Sequence, residues 1–274
     1  MINLKELWKI KNQTKEDSPL IHCITNPISI NGCANVVLAL GGKPIMAEHP
    51  REVEQITEMS KALAVNLGNI TDARIESIYL SGLTAQNHNI PHIIDLVGVG
   101  ISPFRLEFAK EYIKNCKPDI IKGNMSEIKT ILDLPSSPMG IDVGEDDKIE
   151  YNNLVKSINI GKDLAIKTNS TVVISGQLDI ITDGNNSYIV KNGVELLSSI
   201  TGTGCMLNTL IASLMPYGNP LFAALVGTLI LTISGELSKD ARGSGSFMVD
   251  LIDNIYSMNF EQFSTMANYE IYKE

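Results

Sequence analysis

Ala62-Leu-Ala-Val-Asn-Leu67 closed by Gly68, then Thr71-Asp-Ala-Arg74 opening a helical run to about Asn87, then His92-Ile-Ile-Asp-Leu-Val97: this stretch sets the pattern for most of the chain. Each apolar run is short and stopped by a turn residue, as buried strands are, while the segment between them has the length and spacing of a helix. Strand, helix, strand is a right-handed βαβ unit, and a succession of such units builds a parallel sheet.

The same rhythm runs outward in both directions. Upstream, residues 3–13 read as a helix with Leu4, Leu7, Trp8 and Ile10 on one side, followed by a strand from Pro19 to Thr25. A helix over about 29–40 stops at Gly41-Gly42, Lys43-Pro-Ile-Met-Ala47 is a short strand, and Pro50 opens a charged helix. Downstream come helix 103–115, strand Asp119-Ile-Ile-Lys122, helices 125–133 and 151–168, and strand Thr171-Val-Val-Ile174. Leu178–Thr182, a turn at Asp183-Gly184-Asn185-Asn186, and Ser187–Val190 then predict an antiparallel hairpin at a sheet edge. Beyond it the chain reads as helix throughout: about 204–215, 220–238, 247–258 and a last one to the C-terminus. Neither a repeat nor a linker interrupts this order. The expectation is one α/β domain over residues 1–274, with a mainly parallel central sheet flanked by helices, an edge hairpin and a helical C-terminal region.

Composition narrows the partners. With 44% hydrophobic and 19% charged residues over 274 positions the chain is globular, and a domain of this size buries about 75% of its unfolded surface without needing a metal or disulfide. A net charge of −9 argues against nucleic acid or an anionic membrane, so an anionic ligand would need local cations. Cys23, Cys33, Cys116 and Cys205 form no Cys-x-x-Cys pair, and the start Met-Ile-Asn-Leu-Lys-Glu-Leu-Trp is not a signal peptide; both point to a reducing cytoplasm. The apolar run Leu221–Ile233 is too short for a membrane span and reads as a helix buried in the core or against another subunit.

Ligands on a parallel sheet bind beyond the carboxyl ends of its strands. Asp95 ends one apolar strand, where an unpaired carboxylate would be costly. Lys122-Gly-Asn-Met-Ser-Glu127 ends the next and starts a helix, with Asn124 and Glu127 spaced as a helix cap and its acidic first turn. Ser199-Ile-Thr-Gly-Thr-Gly-Cys-Met-Leu-Asn208 is a glycine-punctuated turn feeding an apolar helix, so its amides and the helix dipole offer an anion site. Cys205 falls in that helix's first turn, where a thiolate gains roughly 0.3–1 kcal/mol. The plainer reading is that a Gly-x-Gly turn is common and a lone helical cysteine is usually a small buried hydrophobe. Taken together, two carboxylates, a lysine and a nest of amides suit Mg²⁺ and a nucleoside triphosphate.

The whole set, in collinear order, resembles the hydroxyethylthiazole kinases of thiamine salvage. It comprises His22-Cys-Ile-Thr-Asn-Pro27 with Asn31 and Asn35, Gly42-Lys-Pro-Ile-Met-Ala47, Asp95-Leu-Val-Gly-Val-Gly-Ile-Ser-Pro-Phe-Arg105, Lys122–Glu127, Val173-Ile-Ser-Gly-Gln-Leu-Asp179 and Thr201-Gly-Thr-Gly-Cys205. The resemblance implies a ribokinase-like fold, a homotrimer with its site at a subunit interface, and ATP- and Mg²⁺-dependent phosphorylation of 5-(2-hydroxyethyl)-4-methylthiazole. It also implies roles: Met46, Gly202, Asn26 and Ile28 on the thiazole side; Lys122, Ser175, Thr203 and Gly204 at ATP; Asp95 and Glu127 toward the metal, directly or through water; Cys205 as the base, where the wider superfamily has aspartate. Two departures stand out: Leu96 where the family usually has proline, and Thr203 where alanine is commoner, adding a hydroxyl to the anion hole. The competing readings are a related kinase for another small alcohol, such as a hydroxymethylpyrimidine, and a nucleotide-binding subunit without catalysis.

Overall fold

The apolar runs read from the sequence pair edge to edge. In a computed structural model that describes residues 3–138, 144 and 147–272, the chain begins with α1 (Leu4–Asp17), β1 (Leu20–Ile24), α2 (Ile30–Leu40), β2 (Lys43–Ile45), α3 (Val53–Met59), β3 (Ala62–Asn66), α4 (Asp72–His88) and β4 (His92–Asp95). It continues through α5 (Pro103–Cys116), β5 (Ile120–Asn124), α6 (Met125–Ile131), α7 (Leu154–Thr168), β6 (Thr171–Ser175), β7 (Asp179–Thr182) and β8 (Ser187–Val190). Last come α8 (Thr203–Leu214), α9 (Pro220–Leu237), α10 (Ser244–Ser257), α11 (Phe260–Met266) and β9 (Tyr269–Tyr272).

Among the described residues the strands form one sheet in the order β2-β1-β3-β4-β5-β6-β7-β8-β9, parallel from β2 to β6 and antiparallel from there on. Alternation along each strand divides the apolar side chains between two cores. Ile21, Cys23, Ala62, Ala64 and Ile93 join helices α1, α2, α8, α9 and α10 on one face, while Ile24, Leu63, Val65 and Ile94 join α4, α5 and α7 on the other. The result is helix, sheet, helix, with the parallel strands buried on both faces.

Two expectations change and an open one is decided. The charged helix begins at Val53 rather than Pro50, because Pro50 and Arg51 form a turn in which His49 Nδ1 accepts the Arg51 N–H at 3.2 Å. The antiparallel hairpin lies on the edge side of the sheet as expected, but the last helix does not run on to the end: α11 is short and Tyr269-Glu-Ile-Tyr272 returns as β9 outside β8. Asn192 fixes that return, donating to Met266 O at 2.9 Å and accepting from Asn268 N at 2.7 Å, and an otherwise open strand edge is closed. Of the two settings open to the apolar run, core or subunit contact, α9 takes the first and spends its apolar surface inside the chain. It packs on α8, α10 and α1, and a β-carbon at Gly227 would lie 2.7 Å from Ile211, so only glycine lets α8 and α9 approach this closely. Its hydrophobicity therefore gives no argument for a subunit interface.

Candidate active site

Strand register decides which polar residues meet. Asn66 pairs with Asp95, and Asp95 with Lys122, so β3, β4 and β5 bring an amide, a carboxylate and an ammonium to one level at their carboxyl ends; Asn124 pairs with Ser175 two residues further on. All three of the central side chains are buried. Asp95 Oδ2 accepts from Lys122 Nζ at 3.1 Å and from Asn66 Nδ2 at 3.0 Å. Burial pushes the Asp95 carboxyl up, against the pull of Lys122 and Asn66. For Lys122 burial works to remove the proton, but Asp95, then Cys205 and Glu127, more than restore it, so the lysine is held as a cation.

Helix α8 reaches this row with its N-terminus. Gly202 sits at φ 94°, a left-handed conformation that suits glycine, and accepts the first helical bond from Met206 N at 2.8 Å. The amides of Thr203, Gly204 and Cys205 thus precede the helical ladder and carry its positive end. A β-carbon at Gly204 would stand 3.6 Å from Lys122 Nζ, which puts the ammonium alongside that first turn. Backbone donors and a buried cation here face the same space, the arrangement that receives phosphate.

Cys205 closes the other side. Its Sγ accepts from Asn26 Nδ2 at 3.3 Å and from Asn66 Nδ2 at 3.4 Å. Asn66 Oδ1 in turn accepts from Asn26 Nδ2 at 3.2 Å and from Gly68 N at 2.8 Å, and Asn26 Oδ1 accepts from the amides of Ile28 and Ser29, both at 3.1 Å. Burial pushes the Cys205 thiol up and Asp95 adds to this, outweighing Ser29, Lys122 and Asn26. The helix terminus does not make it a ready thiolate.

Glu127 is both cap and site residue. Asn124 Oδ1 accepts the Glu127 N–H at 3.0 Å and Glu127 Oε2 accepts the Asn124 N–H at 2.8 Å, a capping box, while Oε1 reaches across to Gly98 N at 2.9 Å. Burial, then Asp95, raises its carboxyl to about 8. Ser175 lies half-buried at the end of β6. Asp179, fully buried and pushed up to about 7 by that burial, accepts from Gly176 N at 3.0 Å just beyond it.

Of the residues named from sequence, Asn26, Asp95, Lys122 and Cys205 form one connected group, with Gly204 against the lysine. Met46 is half-buried after β2, and Ile28 is 71% exposed in the turn before α2, meeting Asn26 through its backbone. Thr203 departs from expectation: its hydroxyl donates to Leu197 O at 2.8 Å, tying down the preceding segment rather than entering the anion hole. Leu96 makes good its departure, since its N–H donates to Lys122 O at 2.9 Å, a bond proline could not form, and its side chain is buried. Asn66, which carries four of the contacts above, escaped notice; the signal was an amide at the end of an otherwise apolar strand.

A mainly parallel sheet in this order, with the start of α8 over its strand ends, defines a ribokinase-like α/β protein. A solved ribokinase-like superfamily protein from Enterococcus faecalis shares the fold, with a TM-score of 0.60 at 12% identity over 93% of this chain and 94% of that one. The chain belongs to the hydroxyethylthiazole kinase family, whose model matches residues 11–261. It is 53% identical to "Hydroxyethylthiazole kinase 2" of Clostridium botulinum (strain Okra / Type B1) over 92% of this chain and 95% of that one. The solved hydroxyethylthiazole kinase from Pyrococcus horikoshii OT3 superposes with a TM-score of 0.89 at 29% identity, covering 98% of this chain and 100% of the other.

Proposed function

We propose that this protein transfers the terminal phosphoryl group of ATP to the hydroxyl of 5-(2-hydroxyethyl)-4-methylthiazole, a step of thiamine salvage. The observation that carries the reading is the Lys122 ammonium set beside the first turn of α8, with Cys205 linked through Asn66 to Asp95 at the same place. Lys122 and the amides of Thr203 and Gly204 hold the phosphates, and Ser175 lies on the side toward the rest of the nucleotide. Beyond Ser175 a cleft of about 610 Å³, lined by Gln177, Leu178 and Lys191 among others, leaves room for base and ribose. On the opposite side Asn26, Gly202, the backbone at Ile28, and Met46 receive the alcohol, with the methionine thioether against the thiazole ring.

The alcohol oxygen attacks the γ-phosphorus as the bond to the β,γ-bridging oxygen breaks, and ADP leaves. In a loose transition state positioning and charge neutralisation dominate, so a proton that departs late is enough. Two amides donating into Cys205 Sγ set the sulfur as an acceptor, the polarity a base requires. Magnesium fits the donor set. Mg²⁺ keeps several waters and binds through one or two carboxylates plus phosphates. Both Glu127 oxygens already accept backbone N–H groups and Asp95 Oδ2 takes two donors, so these carboxylates suit contact through water. When bound, the metal would offset phosphate charge.

The resemblance extends the proposal to a homotrimer with the site at a subunit interface, and the four free cysteines suit the cytoplasm. Sizing at micromolar concentration checks the first; a monomer removes it. Incubation with Mg·ATP and the thiazole alcohol should yield the thiazole phosphate and ADP. Phosphorylation of hydroxymethylpyrimidine in its place would reassign the substrate, and no product from either alcohol would leave a nucleotide-binding subunit.

A further inference from the structure

Met46 and its neighbours run from the end of β2 toward Pro50 with no helix or strand of their own. Side chains hold this segment instead. His22 Nε2 lies 2.9 Å from Ala47 O, Ser77 Oγ donates to Glu48 O at 2.8 Å, and Arg74 Nε donates to the Glu48 carboxylate at 2.7 Å while its Nη1 reaches Asn69 O at 2.8 Å. Arg74 and Ser77 grip the segment from α4; His22 alone among these three reaches it from within the sheet, as part of β1.

The His22 ring is fully buried and the mechanism leaves it unused. Its two partners settle the tautomer. A carbonyl oxygen can only accept, so Nε2 carries the hydrogen that meets Ala47 O. Nδ1 is then a bare acceptor, and Thr57 Oγ1 of α3, 2.9 Å away, donates to it. Burial lowers the ring to about 4, so it stays neutral and keeps this polarity. The imidazole is therefore a strut of fixed length and fixed direction between α3 and the carbonyl next to Met46.

We propose that His22 is a positioning residue for alcohol recognition: by holding Ala47 O it fixes where Met46 stands relative to Asn26. Both walls are then set from one strand, since Asn26 follows the end of β1 and His22 lies within it, paired in register with Ile45 just before Met46. The inference rests on the reading that Met46 lines the alcohol site. It predicts a residue that governs affinity for the alcohol without touching it and without acting on ATP.

The test compares Michaelis constants for the two substrates. His22→Phe keeps a ring of similar size and removes both nitrogens. Losing one buried hydrogen bond that orders the wall should raise the alcohol KM about tenfold (about 1.4 kcal/mol), leaving the ATP KM and kcat within about twofold. His22→Gln restores an N–H donor toward Ala47 O and should bring the alcohol KM back to within about threefold of the parent. Thr57→Val frees the tautomer and should give an intermediate rise; it also carries the test if His22→Phe does not fold. A folded His22→Phe, or in its place Thr57→Val, with an unchanged alcohol KM overturns the inference, as does an equal rise for both substrates. Met46→Ala separates the two layers. If it leaves the alcohol KM unmoved, the placement of Met46 at the site is wrong; if it raises that KM while His22→Phe does not, only the role of His22 falls.

Discussion

The two halves of the site are built on opposite principles. Around Cys205 the groups are neutral and saturated: the Asn66 amide gives its hydrogens to Asp95 and Cys205 and accepts from Asn26 and Gly68, and Asn26 is engaged just as fully. Around Lys122 the groups are ionisable, a cationic lysine among carboxyls whose charge burial resists, raising Asp95, Glu127 and Asp179. Saturated amides can turn only by breaking several bonds together, so the neutral half fixes geometry. Buried charges cost solvation and are held by one another, so the ionic half supplies field strength at the expense of stability. Asn66 joins them, and in the proposed reaction the alcohol and the phosphates fall on either side of it.

The sharpest way to break this contrast is at Lys122. Lys122→Met removes the cation and strands Asp95; catalytic efficiency should fall by about 10²–10³ and stability by about 3–5 kcal/mol, as when one partner of a buried pair is removed. Steady-state kinetics beside urea unfolding measures both. The double change Lys122→Met with Asp95→Leu should recover much of the stability and none of the activity. If activity returned with stability, the ionic half would be scaffolding, and the contrast drawn above would be wrong.

A smaller effect is expected at the neutral side. Cys205→Ala should cut turnover by about tenfold or more, toward the roughly 10²–10⁴-fold that general bases contribute, whereas Cys205→Asp keeps an acceptor and should retain much of the rate. The pH profile refines this. Burial and Asp95 place the thiol above its ordinary value, and a base works deprotonated, so turnover limited by Cys205 should climb toward alkaline pH. In Cys205→Asp that climb should vanish, because a carboxylate is already ionised there. Unaltered turnover in the alanine variant would take the sulfur out of the reaction.

Sequence pattern alone reaches Asp95, Lys122 and Cys205 because each interrupts a periodic apolar run at a place where the fold class puts its ligands. Met46 and Ser175 stand out only through the likeness to a family, since a methionine after a strand or a serine at a strand end has an ordinary structural use. Asn66 and His22 are silent for a different reason. An amide or an imidazole on a buried strand takes its meaning from the neighbour opposite, and register is a property of the sheet, absent from any one segment. The same holds for β9: four alternating residues at the end of a chain pair only because β8 leaves an edge beside them. For Thr203 the side chain had two possible directions, and only the placement of Leu197 O chose between them.

The cleanest measure of what the ionic half costs lies at Asp179. Its carboxyl titrates near 7 in the folded chain because burial disfavours the charge, against 3.8 for an ordinary aspartate. Between those values the folded form keeps a proton that the unfolded form releases, so each step up in pH weakens the fold, by up to about 1.4 kcal/mol per unit. Below about 4 both forms are protonated and above about 7 both are ionised, and there the contribution is flat. Asp179→Asn cannot titrate, yet its Oδ1 still accepts from Gly176 N. Its stability relative to the parent should therefore rise from pH 4 to 7 and then level off, a difference that cancels the opposite trend of His22, common to both proteins. Urea midpoints at pH 5, 6, 7 and 8 give the curve; parallel lines for the two proteins would mean that Asp179 carries its charge at no cost, and that burial at this end of the sheet is better compensated than its neighbours suggest.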